Sequence, residues 1–341
     1  MSEDIKEELS GRRILITGGC GFLGSQISSQ LDDLGANITI LDNLSSGSED
    51  YIHSLTNAKL IKGDVTDEAT VESVTKEQEY VVHLAALPFI PDSYTYPKEF
   101  FEVNVNGTIN LALAAIKNKI RRFIHISSSE VYGTAHYTPM DENHPLIPQS
   151  TYSVSKLAGE KVIYTIHKEH YLPVVIVRPF NSFGPNITQP YIIPEIIHQL
   201  LSNTNEVKLG NINTRRDLTF VSDTARGIIR TLVAEGIIGE TINLGSERSV
   251  SITDLVSIIA EILSKNVSIT IDPSRMRPSD VEVLTCDYTK ASRLLGWSPT
   301  VGIKDGLRIT VAWAKEHGIK LRAPFKGWPA TYRSSFFNAT H

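Results

Sequence analysis

Over its first 180 residues the chain alternates short apolar runs with longer helix-patterned stretches, and this rhythm limits the folds open to it more than any other feature. The runs are Ile14-Leu15-Ile16, Ile38-Thr39-Ile40-Leu41, Lys59-Leu60-Ile61, Tyr80-Val81-Val82, Phe123-Ile124-His125-Ile126 and Val174-Val175-Ile176-Val177. Continuous apolar runs, rather than alternating ones, read as strands buried on both faces. Helix patterns near 22–34, 67–76, 98–118 and 150–170 separate them. Repeated β-α-β units of this kind predict an α/β fold with a Rossmann-type, doubly wound parallel sheet. After Pro179 the pattern becomes less regular, with a helix expected near 194–202. We therefore expect a dinucleotide-binding domain over 1–178, to which segments near 214–245 return, and a smaller C-terminal domain over 179–341 that mainly binds substrate. Ligands of open parallel sheets bind beyond the carboxyl ends of the strands.

The first strand ends in Thr17-Gly18-Gly19-Cys20-Gly21-Phe22-Leu23-Gly24. Glycines at 18, 21 and 24 suit a tight turn, the approach of a pyrophosphate to the backbone, and close packing of the following helix, whose N-terminus faces the phosphates. Alone the trio is weak evidence, but Asp42 closes the second strand, where a carboxylate meets a ribose diol. That carboxylate would repel a 2′-phosphate and argues for NAD over NADP, although Asn43 and Ser45 beside it soften the case. Asp64 and Val65 after the third strand are placed for the adenine edge. Leu84, Ala85 and Ala86 after the fourth would let a dinucleotide pass closely.

Tyr152 and Lys156 stand at i and i+4, hence on one face of the helix from about 150. A free tyrosine ionises near pKa ~10, and a neighbouring cation favours its phenolate. Tyr152 is thus a candidate base for a hydroxyl proton. Ser127-Ser128-Ser129-Glu130 ends the fifth strand. If the segment stays extended, Ser128 and Glu130 point to one side, a hydroxyl near the phenol and a carboxylate able to take a carbon-bound proton.

Composition sets limits. Hydrophobic residues at 41%, charged residues at 21% and a net charge of −5 describe an ordinary globular chain. No basic stripe points to nucleic acid. The segment 1–10 is acidic and polar, and no apolar run is long enough to span a bilayer, so a cytoplasmic protein without a membrane partner is expected. Cys20 and Cys286 lack metal-ligand spacing, and we read both as reduced thiols, with no metal site. The aromatic tail, with Phe325, Trp328, Tyr332, Phe336 and Phe337, reads as an arm packed on its own domain or as a docking segment.

From about residue 12 to about 310 the chain resembles the extended short-chain dehydrogenase/reductase superfamily, in particular its nucleotide-sugar epimerases and dehydratases. The glycine run, Asp42, Ser127-Ser128-Ser129-Glu130-Val131-Tyr132-Gly133 and Tyr152-x-x-x-Lys156 carry the likeness. It implies that Ser128, Tyr152 and Lys156 do redox chemistry with NAD. It also implies that Asn104 lies near the active-site end of the cofactor, and that the protein is a homodimer built on the helices near 98–118 and 150–170. Glu130 is similar to the glutamate of 4,6-dehydratases and uronate decarboxylases, whereas simple 4-epimerases tend to have a small residue there. Ser129 before it, and Arg277-Pro278-Ser279-Asp280-Val281, are similar to GDP-mannose 4,6-dehydratases. Among these, the chain resembles the dehydratases of GDP-activated N-acetylglucosamine in legionaminic acid synthesis.

The same resemblance implies that Asn181, Arg216 and Arg277 hold the diphosphate of a nucleotide sugar, a task that guanidinium forks suit. Alternatively Arg216 with Asp217, and Arg277 with Asp280, form internal ion pairs. The implied reaction oxidises C4, eliminates water across C5–C6 and returns the hydride to C6. UDP-glucuronate decarboxylation, 4-epimerisation and a silent NAD-binding scaffold are the rivals.

Overall fold

A computed structural model describes residues 3–187, 189–202, 204–277 and 279–319. The aromatic tail from Pro324 lies outside the described residues. Twelve strands are formed among those described: β1 (Arg13–Thr17), β2 (Asn37–Asp42), β3 (Ala58–Lys62), β4 (Tyr80–His83), β5 (Arg122–Ile126), β6 (Val174–Pro179), β7 (Asn181–Phe183), β8 (Glu206–Leu209), β9 (Arg215–Phe220), β10 (Thr241–Leu244), β11 (Ser249–Ser251) and β12 (Ser268–Ile271). Seven make a parallel sheet in the order β10-β6-β5-β4-β1-β2-β3. The doubly wound α/β fold expected from the alternating runs is present.

Burial follows the pleat. Ile14 and Ile16 of β1 face one apolar layer, with Ile27 and Leu31 of the helix Phe22–Asp33, while Leu15 faces the other, with Leu111 and Ile163. One strand departs from the expectation of burial on both faces: Lys59-Leu60-Ile61 lie in β3, which pairs only with β2 at the sheet edge and stays partly exposed. Its apolar run signalled a strand, but position in a sheet is not written in one segment.

The helix expected over 98–118 is a composite. Pro97–Phe101 and Gly107–Lys117 are α-helical, and a π-helical turn, Glu102–Asn106, joins them. Helix Thr151–His170 starts at Ser150, whose side chain accepts from the Ser153 amide while Ser153 caps Ser150 in return. Beyond β6 the chain builds a three-stranded sheet, β11-β9-β7, and a pair, β12-β8, with a separate core around Phe183, Ile196, Leu255 and Leu307. It returns to the large sheet through the helix Val221–Val233, which packs on Phe22–Asp33, and through β10. β9 itself stays in the small sheet.

Cys20 and Cys286 are unpaired and buried. Among the described residues, no helix is long and apolar enough to cross a membrane.

Candidate active site

Strand order reverses between β1 and β4, and the crevice above that point opens into a cavity of about 410 Å³. It runs from the glycine turn past Tyr152 to Arg216 and Arg277. Gly18 adopts φ +75°, a left-handed conformation that glycine takes without strain. A Cβ on Gly24 would lie 2.1 Å from the Gly18 carbonyl oxygen. Gly21 caps the helix Phe22–Asp33 with no side-chain hydrogen bond, so its first turn presents backbone amides to the cavity, beside Phe22 and Leu23. This bare, positive helix end behind a cradle that a side chain would fill fits a dinucleotide pyrophosphate. Gly24→Ala should force the turn apart, costing about 1–3 kcal/mol as overpacking does and lowering NAD affinity; thermal melts with and without NAD measure both.

Asp42 is buried at the end of β2. Its Oδ2 accepts from the Cys20 amide at 2.9 Å and its Oδ1 from the Leu44 amide at 2.8 Å. Burial raises its carboxyl, against the pull of these two amides. Each oxygen keeps a lone pair for a diol. Asn43 donates to Asp64 Oδ2 at 2.7 Å, and Thr66 occupies Oδ1, so the Asp64 carboxylate ties β2 to β3 while Asp64 and Val65 form the cavity wall. Leu84, Ala85 and Ala86 also line the wall.

Asn104 does not. Its Oδ1 accepts from the Leu87 amide at 2.8 Å and its Nδ2 donates to Ser155 Oγ at 2.9 Å, behind the cavity wall. Asn104 thus lies one layer behind Leu87, a residue of the cavity wall. Asn104, on the π-helical turn, uses its amide to hold the loop after β4, at Leu87, against the Tyr152 helix.

Ser128 and Glu130 reach the cavity by a different route from the extended strand end that was expected. Ser129–Val131 is a single 3₁₀ turn, with Ser128 as N-cap accepting from the Glu130 amide at 3.2 Å. The turn brings both side chains into the cavity with Tyr152 and Lys156. The Ser128 hydroxyl favours the ionised Tyr152 phenol, and the Glu130 carboxylate opposes it. Lys156 donates from Nζ to the Ile126 carbonyl at 2.6 Å. Burial pushes Tyr152 up to about 12 and Lys156 down to about 8, so the protein alone favours the neutral phenol rather than the phenolate expected beside a cation. Burial also raises Glu130, opposed by Arg216 and Arg277.

Asn181, Arg216 and Arg277 line the far end of the cavity, and Asn181 Oδ1 is buried with no hydrogen-bond partner among the described residues. Arg216 is not paired with Asp217, whose oxygens accept from Ser246 and Cys286. It pairs with Asp280 at 3.0 Å, and Arg277 stands 4.0 Å from the same oxygen. Sequence reasoning missed this convergence on Asp280. It also missed Glu160, though Tyr152, Lys156 and Glu160 share the i, i+4, i+8 face that could have disclosed it.

Residues 15–310 match the family model described as GDP-mannose 4,6 dehydratase. A putative UDP-glucose 4-epimerase of Methanocaldococcus jannaschii is 32% identical, over 89% of this chain and 99% of that protein. A UDP-N-acetyl-alpha-D-glucosaminuronate decarboxylase of Bacillus cytotoxicus is 31% identical, over 89% and 98%. The crystal structure of the dTDP-glucose 4,6-dehydratase DesIV from Streptomyces venezuelae, with NAD bound, superposes with a TM-score of 0.83 at 28% identity, covering 89% of this chain and 97% of that one. The chain belongs to the GDP-mannose 4,6-dehydratase family, within the NAD-dependent nucleotide-sugar enzymes whose members include dehydratases, epimerases and decarboxylases.

Proposed function

We propose that the protein is an NAD-dependent 4,6-dehydratase of a nucleoside-diphosphate sugar. The observation that carries this reading is Glu130: a half-buried carboxylate, lining the cavity beside Tyr152 and making no hydrogen bond with a described residue. The bare helix end at Gly21, Asp42 and the wall at Leu84–Ala86 would hold NAD, which when bound takes a hydride from C4 of the sugar and returns it at C6. Tyr152, as the phenolate that Lys156 and the positive nicotinamide of bound NAD would favour, takes the proton of the 4-hydroxyl as C4 becomes a ketone. The ketone acidifies C5. Glu130 removes the C5 proton and then, as the acid, delivers it to the departing C6 hydroxyl, so that water leaves and a C5–C6 double bond forms. As the hydride returns at C6, C5 takes up a proton, and Tyr152 gives up the one it removed from the 4-hydroxyl, so that the protein ends the turnover in its starting state. A carboxyl raised by burial suits both halves of that exchange. Asn181, Arg216 and Arg277 would bind the diphosphate, and the match to the GDP-mannose family model supports a guanosine nucleotide.

Incubation with a panel of GDP-, UDP- and dTDP-sugars, followed by product mass, tests the reaction. Loss of the mass of water is expected. Loss of carbon dioxide would make the protein a decarboxylase, an unchanged mass with inverted C4 an epimerase, and no conversion across the panel a scaffold. Glu130→Gln should still oxidise C4 yet release no water.

The substrate-binding part is drawn mainly from residues after Pro179. A second copy of the chain is proposed to cover Phe101 and Leu113 of the composite helix with Val154 and Tyr164 of Thr151–His170, large apolar side chains that a single chain leaves exposed. Leu113→Glu should then shift the elution of the protein from dimer to monomer; a wild-type monomer would remove the interface.

A further inference from the structure

Arg216 and Arg277 are placed to do more than bind phosphate. Glu130 lines one cavity with charged and titratable groups from three other elements: Tyr152 from the helix Thr151–His170, Arg216 from β9, and Arg277 with Asp280 from the segment after the turn Pro273–Arg275. Ser128 flanks it on its own turn. Both guanidiniums act on the carboxylate through space rather than through a hydrogen bond, and both favour its ionised form, while Asp280 opposes them. Asp280 in turn holds the arginines: Arg216 Nη2 lies 3.0 Å and Arg277 Nη1 4.0 Å from its Oδ1, and Asn211 donates to its Oδ2 at 3.4 Å.

A diphosphate seated on these guanidiniums would bring two negative charges to them. Their pull on Glu130 would then be cancelled. What remains is burial, deepened as the ligand displaces water, together with Asp280 and the diphosphate itself, and each of these favours the protonated carboxyl. We propose that the substrate diphosphate, by engaging Arg216 and Arg277, makes Glu130 a stronger base, so that the carboxylate gains its working proton affinity only once a substrate is in place. This rests on the diphosphate reading given above. It assigns the two arginines a second role, setting the proton affinity of the carboxylate that exchanges a proton with C5 and the C6 hydroxyl.

The test is proton uptake on binding of GDP, UDP and dTDP, measured by titration calorimetry in buffers of different ionisation enthalpy. A group whose pKa rises on binding takes up protons, about half a proton per site for a one-unit rise, midway between its two values. Wild type is expected to take up more than Glu130→Gln, a difference in which the ionisation of the ligand itself cancels. Arg277→Gln should bind more weakly and show a smaller difference. Equal uptake by wild type and Glu130→Gln, with binding intact, overturns the proposal, as does an uptake that disappears in Asp280→Asn but persists in Glu130→Gln. If no diphosphate binds, or if Arg216→Gln and Arg277→Gln bind it as wild type does, the diphosphate site fails and the proposal fails with it. A measurement on wild type alone gives a second check: the acid limb of kcat should lie at higher pH than that of kcat/KM, and coincident limbs overturn the coupling.

Discussion

Tyr152→Phe is expected to lower kcat by about 10²–10⁴-fold, the usual contribution of a positioned proton-transfer group, with little change in stability. The phenol oxygen faces the cavity, and the ring keeps its edge-on contact with Phe100 at 6.3 Å, so only the oxygen is lost. Even one hydrogen bond to that oxygen would be worth only about 0.5–1.5 kcal/mol. Single-turnover formation of reduced nicotinamide, beside a denaturant melt, separates the two effects; a variant within threefold of wild type would remove Tyr152 from the proton transfer. The same neighbourhood predicts a basic limb. Lys156 is a cation below about 8 in the free protein, so if its charge supports the phenolate, kcat/KM should fall as pH rises through that value.

Glu160→Gln should cost about 3–5 kcal/mol, the penalty for leaving one charge of a buried pair uncompensated. Glu160 and Arg178 have side chains 2% and 4% exposed. Arg178 grips both carboxylate oxygens, Nε to Oε2 at 2.9 Å and Nη2 to Oε1 at 2.5 Å. Its Nη1 donates to the Tyr132 hydroxyl at 2.8 Å, and Tyr132 donates to Asn243 at 2.7 Å, so the network joins β6 and β10 to the 3₁₀ turn that carries Glu130. Ser127 also donates to Glu160, at 2.9 Å. Replacing both partners by apolar residues, Glu160→Leu with Arg178→Met, should recover much of the loss, because no buried charge then remains. Urea melts of the two variants beside wild type decide it; a loss below about 1 kcal/mol in Glu160→Gln would show that water or a rearrangement compensates Arg178.

Local signals carried the frame of this protein. The strands β1, β2, β4, β5 and β6 lie where the apolar runs of the sequence are, because a parallel strand covered on both faces is apolar at most of its positions. The glycine turn and Asp42 were legible for a related reason: tight backbone geometry and a strand-end carboxylate are properties of a few adjacent residues. The Tyr152 and Lys156 pair needed only the helical repeat.

Convergence was decided in three dimensions. That Glu130 reaches the cavity from a 3₁₀ turn rather than an extended strand end, that Asn104 spends its amide behind the wall, and that Arg216 chooses Asp280 over its neighbour Asp217 all depend on segments far apart in sequence. So does the placing of β3 at an edge and β9 in the small sheet. A side chain's partner is selected by burial and hydrogen-bonding competition among everything packed around it, and no spacing within one segment encodes that outcome. Residue patterns by themselves therefore determined a dinucleotide fold with a tyrosine, a lysine and a carboxylate available for chemistry. Only the packed chain decided which charges face that carboxylate, since electrostatic influence follows distance through a poorly polarisable interior and not position along the backbone.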